Sequence, residues 1–374
     1  MINSLKNKFS NIRRAAPCFL RAKFYRKYPD ERKRIFVIVN SLGGGGAQRV
    51  ATIVASGLSE KYNVTLVIGK KREVEYPVSD KVEVLRIPIE NLTRDSMIQY
   101  MKILKRVRKP AACISFMFDG NRLNLSAEGP GKVICSERNN PVKKNPQRFP
   151  ETVAQYEKAD HVIFQSTTVR NLYEEDIRAR STVLPNPVNI SCEADGVSRE
   201  KIVTVGRLHE QKNQAMLIRA FAGFLKDHPG YELSLYGDGE LREDLEKLAR
   251  DLEIAGSVVF HGTVKDIPAH IKDARMFVLS SDYEGLSNAL LEAMMMGLPC
   301  ISTACEGSTD VIQSGENGIL IPVGDEDALE CAMRRLADDD AFRKQLAAAG
   351  KRTGEAFSSE NVIAQWEKMI ESVL

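Results

Sequence analysis

Two glutamates in the segment SSDYEGLSNALLEAMMMG, residues 280–297, are spaced so that both carboxylates could contact one elongated ligand. Glu284 lies on the predicted loop after the apolar run RMFVLSS, and Glu292 falls in the second turn of the predicted helix that follows. Ser287 or Asn288 is expected to cap this helix, so the backbone amides between the glutamates would point at an anion. Carboxylates accept hydrogen bonds from pairs of hydroxyls. The segment could therefore hold a hydroxyl-rich group, an anion and a second hydroxyl-rich group in line, which is the form of a nucleotide sugar.

A second candidate feature is VGRLHEQKN, residues 205–213, which follows a predicted strand and carries two cations, Arg207 and Lys212. A diphosphate needs its negative charge matched, and more so as it departs. The turn GDG at residues 237–239 ends the next predicted strand. It is most simply a turn, but its glycines also permit close backbone approach. Each pattern alone is also typical of a solvated surface.

Four consecutive glycines, Gly43–Gly46, lie between a predicted strand and the start of a predicted helix. They exceed what a tight turn needs, so we expect their amides to contact an anion. The dinucleotide pattern G-x-G-x-x-G fails, because Gln48 and Arg49 stand where the third glycine would be. The pattern GxxxxGK[ST] does not occur either. The loop therefore predicts neither an NAD site nor a P-loop.

These loops connect strand-like and helix-like segments that alternate along the chain. The alternation begins again at residue 201. Continuous apolar strands in such an alternation predict parallel sheets covered by helices on both faces. We expect the α/β class, with two facing Rossmann-like doubly wound domains, and ligands at the carboxyl ends of the strands. The predicted parts are a basic N-terminal segment at 1–33, an N-terminal domain at 34–188, a linker at 189–199, a C-terminal domain at 200–356 and a helix at 357–374 that packs back on the N-terminal domain.

The positive charge of the chain is concentrated at its N-terminus. Residues 1–34 hold eleven Lys or Arg and two acids, a net charge of +9, whereas the whole chain carries +3, which leaves −6 for the rest. Apolar residues recur there at steps of three and four, which predicts a basic amphipathic helix on an anionic membrane surface. The alternative is a solvated leader, and Pro17 would kink the helix. Nothing resembles a base-reading module, so nucleic acid is not expected as a partner.

The seven cysteines show neither a CxxC pair nor a zinc spacing, which indicates reduced thiols in a cytoplasmic protein. No apolar run is long enough to span a bilayer, and charges interrupt the N-terminal apolar residues too often for a signal peptide. We therefore expect a cytoplasmic protein that lies peripherally on the inner face of the cell membrane.

Taken together, Arg207 with Lys212, the GDG turn at 237–239 and Glu284 with Glu292 eight positions later resemble the signature of the GT-B-fold retaining glycosyltransferases of family 4. The resemblance extends from about residue 34 to the end of the chain. NSLGGGGAQRV and ICSERNNP are similar to the subgroup that builds bacterial surface polysaccharides and lipid-linked oligosaccharides. The resemblance implies transfer of a hexose or N-acetylhexosamine from a UDP-sugar to a growing glycan, with a polyprenyl-diphosphate-linked acceptor as one option.

The resemblance also implies roles for single residues. Arg207 and Lys212 would hold the diphosphate and stabilise it as the leaving group, Glu284 would bind hydroxyls of the donor sugar, and Glu292 would bind the ribose. The other implied donor-side residues are Gly43, Gly44, Gly45, Gly46, Gly237, Gly239, Gly285, Leu286, Ser287, Asn288, Glu306 and Gly307. The implied acceptor-side residues are Asp119, Asn121, Glu137 and Arg138.

The implied reaction has no assigned general base. Many members of the family carry a histidine near the reaction centre, but the comparable stretch ISFMFDGN, residues 114–121, has none. Front-face attack, in which a donor phosphate oxygen takes the acceptor proton, would not need one.

No metal or cofactor is expected. Two D-x-D pairs, Asp325/Asp327 and Asp338/Asp340, have the form that other glycosyltransferases use for manganese. The first pair opens a predicted helix, where acids serve as cap and dipole partners, and the second lies in a polar loop. Two alternative functions stay open: a nucleotide-sugar epimerase or hydrolase, which would need further carboxylates, and a non-catalytic sugar-binding partner in a polysaccharide assembly.

Overall fold

The computed structural model describes residues 31–43, 45–69, 76–87, 93–195 and 200–374. The predicted amphipathic helix of residues 1–33 lies outside the described residues except for its last three positions, and Gly44 also lies outside them. The chain divides into two compact units. The first unit contains the chain up to Gln165, Arg170–Pro187 and Val362–Leu374, and the second contains Ser166–Val169 and Val188–Asn361.

The sheet of the first unit is parallel throughout, with the strand order β3-β2-β1-β4-β5-β6-β7. The central strand β1 pairs Val37 with Leu66 on one side and with Ile114 on the other. These three side chains are fully buried, as expected for a parallel strand with helices on both faces. The strands are β1 Arg34–Val39, β2 Asn63–Ile68, β3 Glu83–Arg86, β4 Ala112–Phe116, β5 Lys132–Ser136, β6 His161–Phe164 and β7 Ser181–Val183.

The helices before residue 188 cover this sheet and connect its strands, except for the short helix Thr167–Arg170, most of which belongs to the second unit. The first of them buries Val50, Val54 and Leu58 on one face, as an amphipathic helix against a sheet does. They are α1 Gly46–Leu58, α2 Arg94–Arg108, α3 Met117–Ser126, α4 Pro141–Lys144, α5 Phe149–Tyr156, α6 Thr167–Arg170 and α7 Glu175–Ala179, with a 3₁₀ turn at Pro146–Arg148.

The second unit repeats the architecture with a parallel sheet of strand order β10-β9-β8-β11-β12-β13. Its strands are β8 Lys201–Val205, β9 Glu232–Tyr236, β10 Val258–Gly262, β11 Met276–Leu279, β12 Cys300–Thr303 and β13 Ile319–Ile321. Its helices are α8 Gln214–Leu225, α9 Arg242–Asp251, α10 Ile267–Ile271, α11 Asn288–Met296, α12 Glu306–Thr309, α13 Glu326–Asp338 and α14 Asp340–Glu355, with 3₁₀ turns at Glu210–Lys212 and Ala255–Ser257.

The predicted fold class is confirmed: both units are doubly wound α/β sheets of the Rossmann type. In each sheet the strand order reverses direction beside the first strand, between β1 and β4 in the first unit and between β8 and β11 in the second. Ligands of open α/β sheets bind at this reversal, outside the carboxyl ends of the strands. The loops that follow these four strands are therefore the expected ligand-binding loops.

The last helix of the chain, α15 Ser359–Val373, packs into the core of the first unit. Its buried face consists of Val362, Trp366, Met369 and Ile370. The Trp366 ring stacks on Phe116, at the end of β4, with 6.0 Å between ring centroids. Strand β1 and helix α15 thus contribute side chains to the same hydrophobic core.

Two further observations bear on earlier expectations. Among the described residues, no helix combines the length and apolar character that crossing a bilayer demands. The six cysteines that the structure describes are free thiols, as predicted.

Candidate functional site

The loops that carry the predicted cations and the first predicted glutamate follow neighbouring strands of the second sheet. Strand β8 ends at Val205, just before Arg207, and strand β11 ends at Leu279, just before the loop with Glu284. The two strands pair directly at the reversal of strand order. Residues that are 72 positions apart in the chain are therefore brought to the same edge of the sheet.

Lys212 and Glu284 meet at this edge. The Lys212 ammonium donates a hydrogen bond to Glu284 Oε1, which also accepts one from the Ser281 hydroxyl at 2.7 Å. The Gln211 side chain donates to the Tyr283 carbonyl at 2.8 Å and so ties the two loops together. The Glu284 side chain is 9% exposed and that of Lys212 is 19% exposed. Removing either partner would leave a largely buried charge without its counter-charge.

Glu292 lies in the second turn of α11, as predicted, and Ser287 is the residue that caps this helix, accepting from the Leu290 amide at 3.4 Å. Glu292 is 5% exposed and is held by other groups of the protein. Its neighbours Leu291 and Ala293 are fully buried. A carboxylate in such surroundings must be satisfied by polar groups, so its position is determined by the fold.

Gly237 and Gly239, which were predicted to contact the ligand, lie against the backbone of the neighbouring loop at residues 206–208. A Cβ at Gly237, where φ is +133°, would lie 1.9 Å from the Gly206 carbonyl oxygen, and a Cβ at Gly239 would lie 2.2 Å from that of Leu208. The Gly206 amide donates to the Tyr236 carbonyl at 2.9 Å, and the Leu208 amide donates to the Asp238 carbonyl at 3.1 Å. The turn at 237–239 is therefore pressed against the loop that carries Arg207, and its glycines hold that loop in place.

Gly307 has the same role on the other side of Glu284. A Cβ at Gly307 would lie 2.4 Å from the Gly285 carbonyl oxygen and 2.7 Å from Leu286 Cα. The adjacent Glu306 begins α12, after the neighbouring strand β12. Within the described part of the chain, its buried Oε2 atom has no hydrogen-bond donor. A buried acceptor without a donor is costly, so Glu306 is suited to accept from a ligand hydroxyl.

Arg207 is exposed, and its carbonyl accepts a hydrogen bond from the Gln214 side chain at 2.9 Å. The Gly43–Gly46 loop belongs to the first unit, where Gly45 has an extended backbone and precedes α1. Ala47 and Gln48, which directly follow this loop, line a cavity of the first unit.

That cavity has a volume of about 290 Å³ and lies at the carboxyl ends of β1, β4 and β5. Of the predicted acceptor-side residues, Asp119 and Glu137 line it, whereas Asn121 and Arg138 do not. Asn121 is fully buried and donates to the Ser136 carbonyl at 3.3 Å. The sequence interpretation thus combined two residues at a cavity with two residues of the interior.

Arg138 is a buried structural residue. Its guanidinium donates to the Ser136 hydroxyl at 2.8 Å and to the Leu184 carbonyl at 2.9 Å. It also lies 5.3 Å from the ring of Trp366 and 5.6 Å from that of Phe116, within the range of cation–π attraction. Burial lowers its pKa to about 9. An arginine after a strand at the ligand edge suggests a binding residue, but here it joins β5, β7 and α15.

Glu137 forms the buried end of the cavity. Its Oε2 accepts a hydrogen bond from the Tyr156 hydroxyl at 2.8 Å, and its Oε1 accepts from the amides of Arg138 at 3.0 Å and Asn139 at 3.2 Å. Burial raises the pKa of this carboxyl, while the hydrogen bonds and the charge of Lys144 act in the opposite direction. The Glu137 carboxylate is therefore held in a fixed orientation by donors of the protein.

The cavity residues that the sequence interpretation missed include Met117, Phe118, Lys144 and Arg148. Met117 has a left-handed backbone with φ of +68°, which is rare for a bulky residue, and no sequence feature indicates it. Lys144 and Arg148 did carry a signal, because the stretch 140–149 holds three cations and no acid.

The D-x-D pairs have structural partners. Asp325 caps α13 by accepting from the Ala328 amide at 2.8 Å, in agreement with the predicted role. Asp340 begins α14 and pairs with Arg275 and Arg343. Both pairs thus act at helix ends.

A comparison with protein-family models finds one match, between residues 194–353 and the family Glycosyl transferases group 1. The matched residues include Arg207, Lys212, Glu284, Glu292 and Glu306.

Two curated relatives match most of the chain. The GalNAc-α-(1→4)-GalNAc-α-(1→3)-diNAcBac-PP-undecaprenol α-1,4-N-acetyl-D-galactosaminyltransferase of Campylobacter jejuni is 28% identical, over 91% of this chain and 99% of the relative. The lipopolysaccharide core biosynthesis glycosyltransferase LpsE of Rhizobium meliloti is 26% identical, over 83% of this chain and 90% of the relative.

Solved structures share the fold across both units. Sucrose-phosphate synthase from Thermosynechococcus elongatus superimposes with a TM-score of 0.77 at 19% identity, covering 91% of this chain and 99% of that one. HepE of Anabaena, solved in complex with UDP and glucose, has a TM-score of 0.75 at 16% identity, covering 91% and 100%. Residues 194–353 thus match the family Glycosyl transferases group 1, and both units share the fold of these solved structures.

Proposed function

We propose that this chain is a retaining glycosyltransferase of family 4 that moves a hexose or N-acetylhexosamine from a UDP-sugar to a growing, polyprenyl-diphosphate-linked glycan. The observation that carries the proposal is the contact between Lys212 and Glu284 at the strand reversal of the second unit. It places a cation suited to a diphosphate beside a carboxylate suited to sugar hydroxyls. The activities for which the two curated relatives are named support transfer to a lipid-linked or lipopolysaccharide acceptor.

In this proposal the donor lies across the loops that follow β8, β11 and β12. Arg207 and Lys212 neutralise the diphosphate as it departs, which is the step at which charge develops. Glu284 and Glu306 accept hydrogen bonds from the sugar, and Glu292 accepts them from the ribose. With the leaving group neutralised by side chains, a donor phosphate oxygen takes the proton of the acceptor hydroxyl on the same face. The sugar then keeps its anomeric configuration.

The reaction is tested with a product assay. The full chain is incubated with UDP-glucose, UDP-galactose, UDP-GlcNAc or UDP-GalNAc and with prenyl-diphosphate-linked saccharides, and products are identified by mass spectrometry. The anomeric coupling constant of the new linkage, measured by NMR, reports the stereochemistry. An inverted linkage would refute the retaining mechanism. Release of a free or epimerised sugar without acceptor would instead favour the hydrolase or epimerase alternative.

The position of the diphosphate is tested by the thermal shift that UDP produces. We expect Arg207→Ala to remove most of this shift. Arg219→Ala is the matched control, because Arg219 is an exposed arginine of the same unit that pairs with Glu326. A full shift in Arg207→Ala would place the phosphate elsewhere.

The membrane part of the proposal rests on the sequence of residues 1–33 alone. We expect deletion of residues 1–30 to weaken binding to vesicles of phosphatidylglycerol and phosphatidylcholine, while binding of UDP is unchanged. Vesicles of phosphatidylcholine alone are the control for charge. Equal partitioning of both forms would remove the membrane claim.

A further inference from the structure

The cavity of the first unit has two kinds of wall. One is apolar and is formed by Phe116, Met117, Phe118 and Pro141. The strained backbone of Met117 holds part of this wall in place, and such strain persists where the surrounding structure enforces it, often at ligand sites. With about 290 Å³, the cavity lies near the lower end of small-ligand sites, about 300 Å³. It therefore suits one part of an acceptor.

The other wall is cationic. Lys144, at the end of α4, and Arg148, at the end of the following 3₁₀ turn, both line the cavity and are both exposed to solvent. Throughout the described ranges, neither side chain forms an ion pair with a carboxylate. The Arg148 guanidinium lies over the Phe118 ring at 5.2 Å, which fixes it beside the apolar wall.

The two acids of the cavity are already engaged. Asp119 pairs with Arg122 at 3.1 Å, and the Glu137 carboxylate accepts three hydrogen bonds from protein donors. The positive charge of Lys144 and Arg148 at the rim is thus left to act on a ligand.

We propose that this cavity binds the diphosphate ester of the acceptor, with Lys144 and Arg148 holding the phosphates and Phe118 contacting the first apolar group of the ester. Arginine and lysine are the usual partners of phosphate oxygens, and the aromatic ring beside them favours an ester over a free anion. This inference rests on the proposed transfer to a lipid-linked acceptor and adds the site that recognises it. The Glu137 carboxylate, at the buried end, accepts from a hydroxyl of the same ligand.

The test measures binding of geranyl diphosphate and of inorganic pyrophosphate to the full chain by isothermal titration calorimetry, with saturating UDP to occupy the donor site. We expect geranyl diphosphate to bind more tightly than pyrophosphate. Lys144→Ala and Arg148→Ala should each weaken both ligands about tenfold, the effect expected for the loss of one charge-assisted contact. Phe118→Ala should remove the advantage of geranyl diphosphate and leave pyrophosphate binding nearly unchanged.

Lys158→Ala and Arg106→Ala are the matched controls, because both residues are exposed cations of the first unit outside the cavity. Their affinities should equal that of the unmodified chain. Equal binding by the Lys144 and Arg148 variants would overturn the site. Equal affinity for geranyl diphosphate and pyrophosphate would overturn the assignment to an ester.

The same variants separate this inference from the proposed function. Their UDP thermal shift should stay unchanged, since Arg207 and Lys212 belong to the second unit. A chain that binds geranyl diphosphate through Lys144 but shows no UDP shift would refute the proposed donor and keep the anion site. A chain with a normal UDP shift and no effect of Lys144→Ala would refute the anion site alone.

Discussion

The two units have the same architecture, but they build their candidate sites differently. In the second unit, charged residues lie on loops whose backbones are pressed together, with Gly237, Gly239 and Gly307 at the contacts. In the first unit, the cavity is bounded by side chains of α3, α4 and the adjoining turn, over an interior that contains Arg138 and Asn121. A site built on backbone contacts tolerates almost no added volume, whereas a site bounded by side chains can change its chemistry residue by residue.

The largest expected effect comes from the backbone contacts of the second unit. Gly237→Ala should destabilise that unit by about 3 kcal/mol or more, or prevent its folding, because a Cβ would lie 1.9 Å from a carbonyl oxygen at a φ of +133°. The measurement is chemical denaturation followed by circular dichroism.

Two other glycines are the controls for this substitution. Gly324→Ala should cost only about 1 kcal/mol, since φ is +79° there but nothing lies within 4 Å of the added Cβ. Gly256→Ala has open space and no positive φ, and should be neutral or stabilising by about 0.4–1 kcal/mol. Equal losses at all three positions would contradict the account of tight backbone contact.

The next effect concerns the charged pair. Lys212→Met and Glu284→Gln should each lower kcat/KM about 10²–10³-fold, the range seen when one group that stabilises the developing charge is removed. Because the two side chains share a hydrogen bond, the double variant should lose much less than the product of the single losses. Lys247→Met, at an exposed lysine of the same unit, is the control. Multiplicative losses would show that the two residues act independently.

The third effect concerns Arg138, a charged residue of the first unit that lies beside the cavity and does not line it. Arg138→Met should destabilise the first unit by about 2–3 kcal/mol, because the Leu184 carbonyl and the Ser136 hydroxyl lose their buried donor. The UDP thermal shift should be unchanged. If Arg138→Met kept full stability and lost acceptor binding, the interior assignment would be wrong.

The smallest effect is a pH dependence. Burial lowers the pKa of His161, and the charge of Arg180 adds to the shift, so the folded first unit disfavours the protonated ring. A pKa lowered by folding gives stability that is complete above the ordinary value of about 6.5 and is lost as the pH falls through it. His161→Gln should therefore reduce the loss of stability between pH 7 and pH 5. An unchanged loss in this variant would assign the acid sensitivity to other groups.

The sequence predicts that Lys212 and Glu284 lie at one edge of the second sheet, because the signals for this are local. Arg207, Lys212 and Glu284 each follow an apolar run, and parallel strands bring their carboxyl ends to one edge, so the meeting of residues 212 and 284 follows from the alternation of elements. The structural role of Gly237 cannot be inferred from the alternation of elements. A sequence indicates that a side chain is excluded at Gly237, but not whether ligand or backbone takes the space.

The cavity of the first unit is less predictable because it depends on packing between elements distant in the chain. Arg138 has the sequence context of an exposed binding residue, and only the approach of Leu184 and Trp366 makes it internal. The left-handed backbone of Met117 has no sequence signature. Lys144 and Arg148 lie on a segment that carries a polar loop pattern, and their place at a cavity follows from the turn between α4 and α5.

The helix α15 has a consequence for how the protein is made. Because Trp366 and Ile370 belong to the core that contains strand β1, the first unit cannot close its interior until these residues have been synthesised. The second unit, whose residues end at Asn361, can fold earlier during synthesis. A premature stop after residue 361 would thus release a molecule with a complete second unit and an open, aggregation-prone first unit.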